Sequence, residues 1–229
     1  MKLITLTNDG YTDYTQNLIF SLNSIGIKDL KIYCVGIKSY NYFKKQNLEV
    51  ELVNKNLLSG TNKFQSWRSK NFNKLMFNKL KVIHKTLISN DQVLYIDGDI
   101  VFKKNTLYQI SQNKSVDLIG QYDFNPSSDI KTLCAGFMMI NSNSKTLKLF
   151  DPALVPKELL DRRFYFDDQK YINRNLDKVN YEFFDLDTYP NGSYFYSNYK
   201  NLDPAIIHFN YIVGSEKKQK MKDMGYWYL

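Results

Sequence analysis

The chain has 229 residues, of which 43% are hydrophobic and 15% aromatic, so it is neither a disordered tail nor a coiled coil and can bury a substantial core. Its 31 lysine and arginine residues outnumber 23 aspartate and glutamate residues and give a net charge of +8. This balance favours an anionic partner, such as a phosphate-bearing substrate, nucleic acid or an anionic membrane, or else reflects only a solvated lysine-rich surface.

The cysteine spacing and the length of the apolar segments exclude further classes of protein. Cys34 and Cys134 are the two cysteines, and they form no CxxC pair, which excludes a disulfide framework and a thiolate zinc site. No stretch approaches the ~20 apolar residues of a transmembrane segment, and the apolar N-terminal stretch is too short for a signal peptide. We therefore expect a soluble, cytoplasmic protein.

The first half of the sequence alternates apolar runs with segments of helical periodicity. The predicted strands are residues 3–7, 31–35, 50–53 and 93–96. Apolar residues between 18 and 25 recur at helical spacing, with Gly26 as the stop, and residues 63–89 hold the longest helical pattern. This alternation predicts an α/β fold with a Rossmann-like, mainly parallel central sheet flanked by helices.

The second half contains an apolar run at residues 137–140, a helical pattern at 168–176 and a basic C-terminal segment. We find no repeat, low-complexity tract or interdomain linker. One domain over residues 1–229 is therefore expected.

The acidic tripeptide Asp97-Gly98-Asp99 lies between two apolar runs. Two carboxylates in that position are costly to bury without a counter-ion, and their alternate spacing directs both to one side of an extended segment. Carboxylate oxygens suit Mg²⁺ or Mn²⁺, so the pattern favours a metal site over a turn with two solvated aspartates. Gly98 would let a ligand approach the backbone.

A second tripeptide of the same pattern, Asp185-Leu186-Asp187, has a different context. It lies beside Pro190-Asn191-Gly192, which is typical of turns. We therefore predict a loop there and no metal site.

One lysine of the long helical pattern has an unusual position. At 100° per residue, Met76, Leu80, Ile83 and Leu87 form a narrow apolar face, and Lys79 falls at its edge. A lysine there either extends its amine to solvent or meets a negative charge.

Three polar residues of the second half are further candidates. His208 directly follows the apolar run 205–207. A single histidine in such a place is more often structural than a metal ligand, but the basic stretch that follows it favours a ligand. Asp168 and Gln169 open a helical pattern and flank its buried face. Asp168 could equally serve as a helix cap.

Taken together, these segments resemble the GT-A glycosyltransferases, including glycogenin-like enzymes and the broader nucleotide-diphospho-sugar transferase family. The matching pieces follow the family's order: the first strand and loop at 5–11, the acidic motif at 95–101, the Ala-Gly segment at 134–140, the Asp-Gln helix start at 167–169 with Asn173, and the C-terminal segment from His208 through Gly214 to Lys218. Cys134 stands where the family usually has asparagine. The resemblance spans nearly the whole chain.

The resemblance implies a site and a role for each matching residue. It implies a Mn²⁺ or Mg²⁺ site formed by Asp97, Asp99 and His208, and a catalytic region at Asp168 and Gln169 near the anomeric carbon. The implied donor-binding residues are Thr7, Asn8, Tyr11, Lys79, Asp97, Gly98, Ala135, Gly136, Gly214 and Lys218. Lys217 is a second lysine that could add positive charge beside the diphosphate.

The implied function is transfer of a sugar from a nucleotide diphosphate sugar, with uridine as the usual base, to a glycan or protein acceptor. Retention of anomeric configuration is usual for the family. Residues 1–102 would form the nucleotide-binding half and residues 103–229 the sugar and acceptor half, with aromatic residues between Tyr189 and Tyr196 stacking on acceptor rings.

Two other classes of function stay open on the residues alone. Phosphohydrolases with an aspartyl nucleophile also place D-x-D after an apolar strand, but normally near the start of the fold. A basic nucleic-acid-binding protein could use 18 tyrosines and 15 phenylalanines among its lysines, yet no helix-turn-helix, zinc-finger or RRM signature is present. We therefore expect no nucleic-acid partner.

Overall fold

A computed structural model describes residues 1–53, 70–155 and 167–229. Its strands are β1 (Lys2–Thr7), β2 (Leu30–Cys34), β3 (Val50–Leu52), β4 (Gln92–Ile96), β5 (Ile100–Phe102), β6 (Leu118–Tyr122), β7 (Leu133–Asn141), β8 (Tyr181–Phe183) and β9 (Ile206–His208). Its α-helices are α1 (Thr12–Ser24), α2 (Ile37–Lys44), α3 (Lys70–Leu87), α4 (Leu107–Ser111), α5 (Ser144–Phe150), α6 (Asp168–Arg174), α7 (Gly192–Asn198) and α8 (Gly214–Asp223). Short 3-10 turns occupy Leu176–Lys178 and Tyr199–Asn201.

Seven of the strands form one sheet in the order β3-β2-β1-β4-β7-β6-β8. The pairs among β1, β2, β3 and β4 are parallel, as is β6 with β8, whereas β7 runs antiparallel to both of its neighbours. The predicted α/β fold with a mainly parallel sheet is therefore confirmed. The reversal of β7 was not predicted, because a buried apolar run has no feature that reveals its direction.

The sheet buries both of its faces, and β4 shows how. Val93 and Tyr95 belong to the apolar cluster that includes the α3 residues Leu80 and Ile83, whereas Leu94 and Ile96 point to the opposite cluster, which includes α1. Side chains alternate across a strand, so an uninterrupted apolar run is what a strand covered on both faces requires. The predicted strand at 93–96 is thus confirmed as a central strand.

Helix boundaries also follow local chemistry. Helix α1 ends just before Gly26, whose φ of +81° is the left-handed conformation that glycine adopts without strain. Helix α3 covers Lys70–Leu87, and the part of the predicted helix before Lys70 lies outside the described residues. The predicted helix at 168–176 divides into α6 and a 3-10 turn.

The strand order has a switch point between β1 and β4. The chain moves outward from β1 to β2 and β3 and then returns to place β4 on the other side of β1. Ligands of open α/β sheets bind outside the carboxyl ends of the strands at such a switch point. Thr7 ends β1 and Asp97 follows β4, so the predicted nucleoside and metal segments meet there.

A separate two-stranded sheet, β5 with β9, joins the middle of the chain to its C-terminal part. The strands are antiparallel and Ile100 is paired with His208. The backbone N–H of Phe209 donates to the carbonyl of Asp99 at 3.0 Å. This pairing brings His208 beside the acidic tripeptide.

Both cysteines are buried free thiols. Within the described part of the chain, no helix has the length and apolar character needed to cross a membrane. Asp185 and Asp187 lie in a turn after β8, where Asp185 accepts hydrogen bonds from the backbone and hydroxyl of Thr188 at 2.8 and 2.6 Å. The loop predicted for the second acidic tripeptide is therefore confirmed.

Candidate active site

Asp97, Asp99 and His208 converge at the end of β4. Each offers a ligand atom, and these atoms lie within 4.8 Å of one another. The Asp97 side chain is 29% exposed, whereas those of Asp99 and His208 are 6% and 3% exposed. The three predicted metal ligands are thus brought together, and of the three the Asp97 carboxylate is the one that solvent reaches.

The backbone of β7 forms the wall of this cluster. Gly120 of β6 is paired with Met138 but the next residue, Gln121, is paired with Cys134, so Ala135, Gly136 and Phe137 are left out of the pairing with β6. A Cβ at Gly136 would lie 2.3 Å from His208 Cε1 and 2.7 Å from Asp97 Oδ2. Glycine is needed here because the Asp97 and His208 side chains occupy the space that a Cβ would take.

Lys79 lies between two carboxylates beneath the cluster. Its Nζ is 3.2 Å from Asp97 Oδ1 and 2.9 Å from Asp168 Oδ2, donates to the carbonyl of Ala135 at 3.2 Å, and is 3% exposed. Burial lowers the pKa of Lys79, but Asp168 and Asp97 outweigh it and hold that pKa well above the usual value. The sequence predicted that this amine either extends to solvent or meets a negative charge, and the structure shows contact with negative charge. Donor binding by Lys79 stays a prediction.

Asp168 and Gln169 lie at the start of α6, where Asp168 contacts Lys79. Burial raises the pKa of Asp168, against the opposing effect of Lys79. The helix cap is Asp167, whose carboxylate accepts from the backbone of Lys170 at 2.9 Å, so Asp168 is not the cap. Gln169 Oε1 accepts from the backbone N–H of Ala135 at 3.1 Å, which ties α6 to the β7 wall.

Asp123, which the sequence did not single out, extends this group of residues. Its carboxylate accepts from Gln169 Nε2 at 2.8 Å, from the hydroxyl of Tyr211 at 3.1 Å and from Asn191 Nδ2 at 3.3 Å. Three donors from different segments therefore orient one partly exposed carboxylate beside Gln169. Asp123 directly follows β6, a strand that the sequence analysis did not predict, so no sequence pattern pointed to this residue.

The lysine that contacts the acidic pair is Lys217, not Lys218. Lys217 Nζ forms a short ion pair with Asp99 Oδ2 and donates to the Tyr11 hydroxyl at 3.0 Å. Lys218 instead pairs with Asp13 at 2.9 Å on the surface, with 38% of its side chain exposed. Helix α8 turns Lys217 inward because Lys217 lies four residues before the buried Met221. Donor binding by Lys218 stays a prediction.

The charges around Asp99 stabilise its ionised form. Burial raises the pKa of this carboxyl, but Lys217 and His208 outweigh burial and hold it well below its usual range. His208 Nε2 lies 3.4 Å from Asp99 Oδ1. Burial disfavours the charged imidazole, whereas Cys134 and Asp99 favour it, and the pKa of His208 is raised to about 10.

The nucleoside segment adjoins the acidic motif through α1. The hydroxyl of Thr15 donates to Thr7 Oγ1 at 2.8 Å, and Tyr11 stacks on Tyr14 with centroids 4.4 Å apart. A Cβ at Gly98 would lie 2.8 Å from Thr15 Oγ1, so the space beside Gly98 accommodates α1. Thr7 and Asn8 are buried at the end of β1, whereas Gly214, with φ +64°, begins α8.

The donor set suits a divalent cation. Two carboxylates and one imidazole are ligands that Mn²⁺ accepts, and hard oxygen atoms dominate, as for Mg²⁺. Asp97 and His208 both approach the backbone closely at Gly136, and their ligand atoms lie within 4.8 Å of each other and of Asp99. Asp99 meets two cationic groups, Lys217 and His208, and Asp97 meets Lys79, so the cluster is built around negative charge.

A family profile described as nucleotide-diphospho-sugar transferase matches residues 34–224. The chain belongs to this family. The family assignment agrees with the resemblance seen in the sequence and favours it over the phosphohydrolase and nucleic-acid-binding alternatives.

The sequence relative described next shares little sequence identity with this transferase. A UDP-galactose:fucoside alpha-3-galactosyltransferase from Dictyostelium discoideum is 24% identical over 278 residues, a match that covers 100% of this chain and 43% of the relative. The chain therefore spans less than half of that relative's length.

Solved glycosyltransferase structures share the GT-A fold. The galactosyltransferase LgtC superposes with a TM-score of 0.64 at 12% identity, covering 100% of this chain and 97% of LgtC. GlyE from Streptococcus pneumoniae gives 0.61 at 16% identity, with 100% of this chain and 60% of GlyE covered. Mouse xyloside xylosyltransferase 1 gives 0.58 at 12% identity, with 92% and 97% covered.

Proposed function

We propose that this transferase moves a sugar from a UDP-sugar to a glycan or protein acceptor in a metal-dependent reaction. The observation that supports it most is the convergence of Asp97, Asp99 and His208 at the carboxyl end of a central strand in a chain of this family. Among the sequence relatives is a UDP-galactose-dependent galactosyltransferase, which supports UDP as the nucleotide and a hexose as the sugar.

Asp97, Asp99 and His208 would hold the cation, with Mn²⁺ favoured over Ca²⁺ because an imidazole joins the oxygen ligands. A bound divalent cation supplies Lewis-acid stabilisation of the negative charge that grows on the leaving diphosphate. The residues around it fix the ligands: Tyr95 donates its hydroxyl to Asp97 at 2.8 Å, and Lys79 contacts the same carboxylate oxygen.

Fixed positive charge in the cleft would favour the diphosphate. Lys217 is 8% exposed and is held by Asp99 and Tyr11, so its ammonium is ordered before any ligand arrives. Preorganised charge of this kind stabilises a developing anion without reorganisation during the reaction. Gly214 precedes it by three positions and begins α8, where a left-handed residue sets the direction of the helix.

The sugar would lie against Asp168, Gln169 and the Ala135-Gly136 step. Gln169 has its oxygen on the Ala135 N–H and its nitrogen on Asp123, so its amide is fixed in orientation. Asp168 is buried in an ion pair with Lys79, which suits a positioning role better than that of a free nucleophile. A retaining reaction without a strong protein nucleophile fits these two residues.

Acceptor binding belongs to the second half of the chain, residues 103–229, in this proposal, and residues 1–102 would bind the nucleotide. Tyr189 is not a stacking platform, because it is 8% exposed and packs on Phe184 with centroids 4.7 Å apart. Asp123 and the half-exposed Tyr211 are better placed beside Gln169.

Thermal denaturation with UDP and Mn²⁺, separately and together, tests this proposal. A ligand at 100 times its dissociation constant stabilises a fold by about 2.7 kcal/mol, so the two ligands together should raise the melting temperature more than either alone. Asp99→Asn should lose this metal-linked response. Asp187→Asn, in the second acidic tripeptide, is the matched control and should keep it.

Two results would contradict the proposal. One is an Asp99→Asn variant whose response to UDP and Mn²⁺ equals that of the wild type. The other is stabilisation by DNA with no response to UDP. Hydrolysis of a panel of nucleotide sugars by the wild type then identifies the donor.

A further inference from the structure

We propose that Gln121 is a positioning residue that fixes His208 with Nε2 as its metal-binding atom. This inference rests on the proposed function, because it concerns how this chain orients one ligand of the same site. No sequence pattern indicates this contact, because Gln121 lies in β6 and His208 ends β9, and the folded protein brings the two side chains together.

Gln121 lies behind the histidine, on the side away from the acidic pair. Its side chain is fully buried, and it sits where β6 resumes pairing with β7 at Cys134 after the three unpaired residues of β7. Gln121 Oε1 is 2.7 Å from His208 Nδ1, while His208 Nε2 faces Asp99 Oδ1 at 3.4 Å. The two ring nitrogens therefore face different partners.

The orientation of the Gln121 amide follows from its other contacts. Its Nε2 lies 2.8 Å from the carbonyl of Pro190 and 3.1 Å from that of Tyr189. Carbonyl oxygens only accept hydrogen bonds, so the nitrogen end of the amide must face them. The oxygen end is thereby directed at His208 Nδ1.

An amide oxygen is also only an acceptor, so His208 Nδ1 must carry a proton. The neutral ring then carries its single proton on Nδ1 and leaves Nε2 with a free lone pair, which is the form that can coordinate a cation through Nε2. Cys134 Sγ lies 3.7 Å from the same Nδ1, a longer and weaker contact than that of Gln121. The backbone carbonyls thus determine, through one glutamine, which nitrogen can coordinate a cation.

Loss of such an outer contact typically weakens metal affinity tenfold to a hundredfold. We expect Gln121→Leu, which removes both ends of the amide, to weaken Mn²⁺ binding by this factor, measured by electron paramagnetic resonance of free Mn²⁺. Gln92→Leu is the matched control. Gln92 is another buried glutamine, bonded to Asn141 at 2.9 Å at the opposite end of β4, and its loss should leave Mn²⁺ affinity unchanged.

Nitrogen NMR of the imidazoles provides a readout that a purely structural role would not affect. The chain has two histidines, so a His84→Gln variant assigns the His208 signals directly. In the wild type, Nδ1 of His208 should be protonated, and Zn²⁺, a diamagnetic probe, should shift Nε2. In Gln121→Leu the Nδ1 proton should no longer be fixed, whereas Gln121→Glu, which keeps an acceptor, should retain it.

The outcomes separate this inference from the proposed function. A wild-type His208 protonated at Nε2 with a free Nδ1 would overturn the inference without any variant. Equal Mn²⁺ affinity in Gln121→Leu and the wild type would overturn it too. Failure of the wild type to bind Mn²⁺ would instead overturn the proposed metal site itself, on which the inference rests.

Discussion

Lys217 and Lys218 are adjacent in α8 and have opposite surroundings. The amine of Lys217 contacts Asp99 in the cleft, and that of Lys218 contacts Asp13 and lies 4.6 Å from the ring centroid of Trp227 at the surface. A surface ion pair contributes about 0–1 kcal/mol, whereas a hydrogen bond to a charged group in a buried site contributes about 1.5–3 kcal/mol.

We therefore expect Lys217→Met to weaken UDP binding in the presence of Mn²⁺ by about tenfold to a hundredfold, which corresponds to about 1.4–2.8 kcal/mol. Lys218→Met should change the same affinity by less than a factor of about three. Isothermal titration with UDP at fixed Mn²⁺ measures both variants. Equal losses in the two variants would show that the charge of α8 acts as a whole and not through Lys217.

Gly136 is the second residue whose role depends on distances of a few ångströms. An alanine Cβ at this position would overlap His208 and Asp97, and overpacking of this kind typically costs about 1–3 kcal/mol. We expect Gly136→Ala to lower both the melting temperature and the affinity for Mn²⁺.

The control for Gly136→Ala is Gly225→Ala. Gly225 has φ +76° and no atom within 4 Å of its Cβ position, so an alanine there strains the backbone without touching the site. It should lower stability while leaving Mn²⁺ affinity at the wild-type level. If Gly136→Ala binds Mn²⁺ as tightly as the control does, the β7 wall does not hold the ligands.

At the scale of single elements, the position of Lys79 on α3 is the feature that the sequence predicted best. The helical wheel placed this lysine at the edge of the apolar face, and the structure buries it there against Asp97 and Asp168. Helical periodicity could not show whether Lys217 or Lys218 faces the protein interior, because α8 carries four lysines and one buried apolar side chain, Met221. That single methionine was the available signal.

Asp117 joins three elements on the opposite edge of the sheet from β3. Its carboxylate accepts from the backbone N–H of Asn180 before β8 at 2.7 Å, from Asn143 at the start of α5 at 2.7 Å, and from Lys145 at 3.2 Å. Burial raises the pKa of this carboxyl, but these contacts outweigh burial and lower it. The ionised form therefore stabilises the fold.

We expect Asp117→Asn to lower the free energy of unfolding at pH 7 by about 1–2 kcal/mol. A carboxyl with a depressed folded-state pKa contributes stability above its unfolded pKa of about 3.9, and this contribution is lost as the pH falls through the folded pKa. Urea unfolding of both proteins should therefore give curves that converge below about pH 4. A constant difference down to pH 2 would contradict the role of the ionised carboxylate.

At the scale of the whole molecule, the sequence predicted the class of fold and the three candidate ligands, but not how they meet. Apolar runs and turn residues identified β1, β2 and β4, because these strands are buried along most of their length. The half-buried edge strand β3 gave a weaker pattern. The direction of β7, its unpaired segment and the neighbours Gln121 and Asp123 depend on register between distant strands. Register is a property of the assembled sheet and leaves no local pattern.

The β5–β9 ribbon has a consequence for the order of events in folding. It pairs Ile100 with His208, and it accompanies a contact between Asp99 and Lys217, which are 118 residues apart in the chain. Closing so long a loop is entropically unfavourable until the intervening strands have assembled, so this ribbon belongs to the late steps. A bound cation would therefore lower the rate of unfolding and have little influence on the rate of folding.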